Sequence, residues 1–234
     1  MFNNLIKGSR IAYRNKNDTF DISNLKFMDP IKEFDIWFNE ACKCNEILEP
    51  NAMALATSNL NGVPSVRYVL MKEYNENGFQ FFTNCLSKKG KHMSENPVAS
   101  AAFYWPQLNR QIRIEGSVTR LPSEAADKYF NERPRESRIS ALVSECQSSV
   151  VHNREVLSSR TEELIKKYSD ESVIPRPHYW VGYNINPFSI EFWQGQSNRL
   201  HDRILFRKAT DDEVFDENVT IQGDGKWLIE RLSP

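Results

Sequence analysis

From residue 51 to residue 120 the apolar pattern alternates with a period of two, and turn signals interrupt it roughly every ten residues. Alternate side chains of a strand point to opposite faces, so this pattern describes half-buried strands and excludes a helical bundle for this part of the chain. Ala52–Thr57 reads as one strand, Asn61-Gly62 as a tight hairpin turn, and Val63 to Lys72 as its partner. Asn77-Gly78 is a second turn signal leading into Phe79–Thr83. Val98–Trp105 and Gln111–Arg120 are two further strands, joined around Pro106 and Asn109. Strands at this spacing imply an antiparallel sheet or barrel.

Helical spacing appears on either side and once within this region, at 87–95. Asp29-Pro30 is an N-cap followed by proline at the first helical position, and the apolar residues from Ile31 to Ala41 place an amphipathic helix over 30–43. Residues 1–28 show no steady period and read as an irregular, flexible arm. Residues 87–95, 122–132, 135–143 and 153–168 read as helices, and 170–178 as a linker marked by Pro175 and Pro177. Short strands around 179–184, 188–193, 202–208 and 226–232 follow. Strands, then helices, then strands of one sheet fit a mainly β fold with helical inserts, with 29–234 as a single domain.

The balance of charge narrows the partners. Net charge is −1, which argues against nucleic acid, since binders of the phosphate backbone carry a basic excess. Yet residues 61–140 hold 12 Lys and Arg against 8 Asp and Glu, and a basic middle in a neutral protein suits small anionic ligands. The N-terminus has no apolar signal-peptide core, and no apolar run reaches membrane-spanning length. The first 17 residues are basic and lack acids, which is the one feature that a mitochondrial transit peptide would share; cytosol is the expected compartment. Cys42, Cys44, Cys85 and Cys146 read as reduced structural thiols.

Several chemistries have no motif. There is no G-x-G-x-x-G, no phosphate-cradling G-x-x-x-x-G-K-[ST] and no G-x-S-x-G. His92, His152, His178 and His201 are far apart, so metal catalysis has little support. A nucleotide-like ligand would be held by side chains, and four segments offer them. Arg67 and Lys72 lie on one expected strand with opposite parity; two edge charges are the plain alternative. Thr83-Asn84 with Ser87-Lys88-Lys89-Gly90-Lys91 combines a helix N-terminus with cations, and a solvated turn is its alternative. Tyr129 and Arg133, four apart on an expected helix, share a face with Ser137 nearby. Arg133 can grip a phosphate through two parallel N–H bonds, or else cap a helix junction. In Glu191–Arg203, the residues Arg199, His201 and Arg203 alternate along an expected extended run, where they would repel unless an anion sat among them.

These residues carry a family resemblance. The chain resembles the pyridoxine (pyridoxamine) 5′-phosphate oxidase family from about residue 10 to the end. The matching motifs are Asn51-Ala-Met-Ala-Leu-Ala-Thr57, Phe81-Phe-Thr-Asn84, Asn109-Arg-Gln-Ile-Arg113, Tyr129-Phe with Arg133-Pro134, and Gln147-Ser-Ser149. Glu191-Phe-Trp-Gln-Gly-Gln196, Arg199-Leu-His-Asp-Arg203 and Arg231-Leu-Ser-Pro234 complete the set. The resemblance implies an FMN-binding split β-barrel, homodimeric through a C-terminal segment, with FMN at the subunit interface. Arg67, Tyr68, Val69, Leu70, Phe82, Thr83, Lys88 and Lys89 would hold FMN, and Gln111, Gln147, Ser148, Trp193 and Arg203 would complete its site. Lys72, Tyr129, Arg133 and Ser137 match the clamp on the substrate phosphate. Arg199 and His201, with Leu200 between them, match the residues over the substrate ring, and Arg10 and Tyr13 match an arm that closes over it.

The implied activity is oxidation of pyridoxine or pyridoxamine 5′-phosphate to pyridoxal 5′-phosphate. Hydride passes to the flavin, and oxygen is the final acceptor with release of peroxide. Arg199 and His201 are the expected catalytic pair. The alternatives are a nicotinamide-dependent split-barrel flavin reductase and a non-catalytic FMN or pyridoxal-phosphate carrier. Two departures from the family pattern stand out: Lys88 replaces an expected Arg, and Ser144-Glu145-Cys146-Gln147 is one residue longer than usual. Residues 209–225 are acidic and receive no role.

Overall fold

The computed structural model describes residues 19–169 and 173–234. Among them are five helices: α1 (Pro30–Lys43), α2 (Lys88–Glu95), α3 (Ser123–Glu132), α4 (Arg135–Val143) and α5 (Arg154–Lys167). The strands are β1 (Ala52–Ser58), β2 (Pro64–Leu70), β3 (Glu73–Asn75), β4 (Gly78–Asn84), β5 (Val98–Trp105), β6 (Arg110–Arg120), β7 (Trp180–Gln194), β8 (Asp202–Lys208), β9 (Thr220–Gln222) and β10 (Trp227–Arg231). All the pairings with a resolved register are antiparallel.

Two compact units divide the described residues, and β5, β6 and β7 each contribute to both. The first comprises residues up to Pro50 together with Ala102–Ile114 and Ser189–Pro234. Here α1 starts where Asp29 accepts N–H bonds from Ile31 and Lys32 at 2.8 and 3.0 Å. Its buried face carries Phe34, Trp37 and Ala41. Trp37 meets Phe20 at 5.0 Å and Phe192 at 5.2 Å, and Phe192 meets Phe206 at 5.6 Å. Each such edge-on pair adds about 0.5–1.5 kcal/mol to the burial of its rings. Residues 22–24 form one 3-10 turn with a capping box from Asp21, so part of the expected irregular arm is ordered. Strand order here runs β7, β8, β10, β9. The short β9 lies in the segment for which the sequence suggested no role, and Thr220 donates to Glu230 at 3.0 Å there.

The second unit comprises Asn51–Ala101 and Glu115–Phe188. Its strands run β2, β1, β5, β6, β7, and β4 pairs with both β7 and β3. Met53, Leu55, Phe79, Phe81 and Ala101 alternate inward and are fully buried. A satellite cluster of Phe130, Ile139, Ala141 and Ile174 packs beneath α3, α4 and Trp180. Ser87 caps α2 by accepting from the Gly90 N–H at 3.3 Å. Gly90 is required by space: a Cβ there would meet the Cys85 carbonyl oxygen at 2.3 Å.

Three local expectations are corrected. The strand after the first hairpin stops at Leu70, and Lys72 lies beyond it, its N–H bonded to Gln80 O at 2.8 Å. Parity therefore does not relate Arg67 to Lys72. Residues 179–184 and 188–193 belong to one 15-residue strand, β7. Pro187, which has no N–H to give, falls between the stretch paired with β4 and the stretch paired with β8, so it interrupts neither ladder. The third correction concerns Arg133: it is the C-cap of α3 with φ −72° and ψ 147°, so it does not share a helical face with Tyr129. The following Pro134 disfavours helical backbone at the residue before it.

Candidate functional site

In the second unit, antiparallel register brings the first cationic group together. Leu55 pairs with Arg67 and Thr57 with Ser65, so Arg67 reaches diagonally across β1. Its Nη1 donates to Thr57 Oγ1 at 2.8 Å and to Leu55 O at 3.0 Å, and its Nη2 contacts Ser65 Oγ. Thr57 in turn lies 3.2 Å from Nδ1 of buried His92 on α2. Lys89, on the first turn of α2, donates to Gln147 Oε1 at 3.0 Å and to Ser87 Oγ at 3.3 Å. The N–H of Lys88 reaches Ser148 Oγ at 3.3 Å. Despite the extra residue before it, the Gln147-Ser148 turn therefore meets the α2 N-terminus, with Ser148 at φ 75°. Thr83 is buried at the end of β4, whereas Tyr68 on β2 is exposed.

None of these partners is a carboxylate. Burial and the charge of Arg67 pull the Lys89 ammonium down to about 8. Burial also lowers Arg67. Cations held together with only neutral partners fit an anion such as a phosphate, and the N-terminal end of the α2 dipole adds to the positive potential there. A cavity of about 670 Å³ lies alongside, lined in part by Lys88, Lys91, His92, Gln147 and Ser148.

A second cationic group occupies the same unit. Phe82 stacks on Tyr129 at 4.4 Å, and the Lys72 ammonium lies over the Tyr129 ring at 5.5 Å. Arg133 lies 4.1 Å over the Trp180 ring, and one of its terminal nitrogens is buried without a partner. Burial lowers its pKa. Ser137 is half-buried on α4.

Trp193, Gln111 and Arg203 line a cavity of about 290 Å³ in the first unit, with Arg113, Glu191 and Pro234. Buried Glu191 binds Arg203 through both oxygens, at 2.7 and 3.2 Å, and Arg113 at 2.7 Å. Residues 196–201 turn instead of extending, which corrects the alternation expected for Arg199, His201 and Arg203. The Arg199 N–H bonds back to Gln196 O at 3.1 Å, with φ 67° at Arg199. His201 Nδ1 accepts from the Gln196 N–H at 3.0 Å, and its ring lies 4.8 Å from Trp193. Leu200 is exposed. Glu191 pairs with Arg203, and the turn takes Arg199 and His201 out of the extended run. Arg10 and Tyr13 lie outside the described residues.

Thr57, His92, Glu191 and Trp180 were not marked as site residues by sequence. For Thr57 and Glu191 the signal was a place inside a matching motif; for Trp180 there was none.

An antiparallel sheet with helical inserts gives the chain the split-barrel fold. The fold of an FMN-binding protein from Nostoc punctiforme, related to pyridoxamine 5′-phosphate oxidase, is similar, with a TM-score of 0.64 at 16% identity over 88% of this chain and 98% of that one. PhzG from Burkholderia lata, solved with tetrahydrophenazine-1-carboxylic acid, gives a TM-score of 0.80 at 27% identity over 94% of this chain and 100% of that one. The family model described as pyridoxamine 5′-phosphate oxidase matches residues 40–168, and that of the pyridoxine 5′-phosphate oxidase C-terminal dimerisation region matches 180–234. The pyridoxine-5′-phosphate oxidase of Bos taurus is 48% identical over 227 residues, covering 96% of this chain and 86% of that protein. The chain belongs to the pyridoxine (pyridoxamine) 5′-phosphate oxidase family and is an oxidoreductase. Among the described residues no helix is long and apolar enough to cross a membrane.

Proposed function

We propose that this chain is an FMN-dependent oxidase, working as a homodimer, that converts pyridoxine and pyridoxamine 5′-phosphates to pyridoxal 5′-phosphate with oxygen as acceptor. Peroxide is the second product, and the amine substrate also releases ammonia. The observation that carries this reading is the presence of two cationic groups, around Lys89 and around Arg133, neither of which is paired with a carboxylate among the described residues. A flavin mononucleotide and a phosphorylated substrate each need one such group.

Arg67, Lys89 and the α2 N-terminus hold the cofactor phosphate, with Gln147 and Ser148 closing the turn above it. Lys88 contributes charge but lacks the two-pronged geometry of arginine. Gln111, Trp193 and Arg203 of the first unit match the residues that complete the family's flavin site, some of them from the partner subunit, and Glu191 fixes the Arg203 guanidinium. FMN, when bound, supplies the two-electron acceptor. Lys72, Tyr129, Arg133 and Ser137 fix the substrate phosphate, so binding at one end of the substrate orients the other. Arg199 stabilises charge developing on the substrate ring, and His201, tied to the Gln196 N–H, positions it.

Anaerobic mixing of the yellow holoenzyme with pyridoxamine 5′-phosphate tests the reading. The visible flavin absorbance should bleach and return on admitting air, with one peroxide formed per turnover. A flavin that stays oxidised would leave a carrier, and bleaching only by a nicotinamide would leave a reductase. Arg133→Ala should raise KM for the substrate at least tenfold, on the scale of a lost charged hydrogen-bond pair, while FMN is retained.

A further inference from the structure

Among the described residues, four side-chain polar atoms are buried without a hydrogen-bond partner: Arg133 Nη1, Arg138 Nε, Trp180 Nε1 and Asn184 Oδ1. The first three are N–H donors. Leaving a buried donor unmade costs about 1–3 kcal/mol, so such groups are rare unless something absent from the protein itself completes them. Two of the three belong to one stacked pair, since the Arg133 guanidinium lies 4.1 Å over the Trp180 ring.

We propose that Trp180 is part of the substrate-phosphate clamp, with its ring as the platform that orients Arg133 and its indole N–H as a further donor to the phosphate. This rests on the function proposed above and extends it to a residue that lies outside the family's matching motifs. Trp180 begins β7, where it pairs with Asn84 at the end of β4. Its ring is held edge-on to Phe130 at 6.3 Å and packs on the cluster beneath α3 and α4. The platform is therefore rigid. Arg133 sits past the end of α3 in extended backbone, and its guanidinium lies over this ring.

Among the described residues no carboxylate pairs with Arg133, in contrast to Arg203, which is locked to Glu191. A planar guanidinium stacked on an aromatic face keeps its in-plane N–H groups available for an anion, which a carboxylate partner would occupy. The indole N–H is a donor only and has no other use for a buried position. Arg133 and Trp180 together thus present donors and no acceptor, which selects a phosphate over a neutral hydroxymethyl group at the same place. Arg138 offers the third such donor, on α4 one residue after Ser137.

Trp180→Phe keeps an aromatic face under Arg133 and deletes the N–H. In the FMN-loaded protein, inhibition by inorganic phosphate should weaken about tenfold and KM for pyridoxamine 5′-phosphate should rise similarly, with FMN retained. Binding of pyridoxal, which lacks the phosphate, should not change. Equal losses for pyridoxal and for phosphate would mean a structural role and would overturn the proposal, as would a phosphate constant that does not move. Should the variant fail to fold, wild-type protein labelled with ¹⁵N supplies the second measurement: of the five tryptophan indole N–H signals, one should move on adding phosphate, and none moving refutes the proposal. Phosphate binding needs no redox step, so a holoenzyme that fails to bleach with substrate would refute the oxidase reading and leave this measurement intact.

Discussion

Lys89 makes the proposed cofactor site sensitive to pH. Burial and the neighbouring Arg67 lower its ammonium from 10.5 to about 8. At about 1.36 kcal/mol per pKa step this is roughly 3 kcal/mol against the charged form, and about 2 kcal/mol after solvent screening of a half-buried group. The disfavoured form is the protonated one. The apoprotein therefore carries the full penalty below about pH 8, and stability is regained as pH rises from there toward the ordinary lysine value near 10.5. A bound phosphate dianion reverses the preference, because it stabilises the ammonium. FMN binding must then take up a proton at alkaline pH, and the dissociation constant should rise on the order of tenfold between about pH 7 and about pH 9.5. The flavin phosphate loses its own second proton near pH 6, roughly one unit below this window, and does not contribute. Titration of apoprotein into FMN, followed by quenching of flavin fluorescence, measures the constant directly. Lys89→Met should bind more weakly at pH 7 and show a flat profile. A wild-type constant that does not vary across the window, or the same slope in Lys89→Met, would refute the reasoning.

Two further outcomes test the scaffold. Gly90→Ala drives a Cβ into the Cys85 carbonyl, a backbone atom that cannot step aside, so the urea midpoint should fall by the equivalent of about 1–3 kcal/mol and FMN affinity with it; an unchanged midpoint would show that α2 can shift. Glu191→Gln leaves Arg203 and Arg113 without their shared carboxylate, and since their guanidiniums are 26% and 47% exposed the loss should be about 1–3 kcal/mol in unfolding, below that of a fully buried pair. Substrate-phosphate affinity should be unaffected there, which distinguishes it from Arg133→Ala.

What was legible in the sequence followed from local chemistry. Period-two alternation located β1, β5 and β6, because inward side chains such as Met53, Leu55 and Ile112 must be apolar wherever one face of a strand is buried. Caps located α1 and α2, because Asp29 and Ser87 satisfy N–H groups a few residues away. The cationic residues themselves were also visible, as clusters and as family motifs.

Their geometry was not. That Arg67 reaches Thr57 depends on the β1–β2 register, and that Lys89 meets Gln147 depends on a turn 58 residues away closing onto α2. Residues 196–201 read as extended from their polar alternation, yet the His201 ring bonds back to Gln196 and makes a turn. Trp180 gave no signal because its importance lies in facing Arg133, which is distant in the chain and meets it only through packing. A residue's own type and near neighbours decide whether it enters a helix or a strand. Which donor is left without a partner is settled only when distant segments pack, since the competing acceptors come from anywhere in the chain.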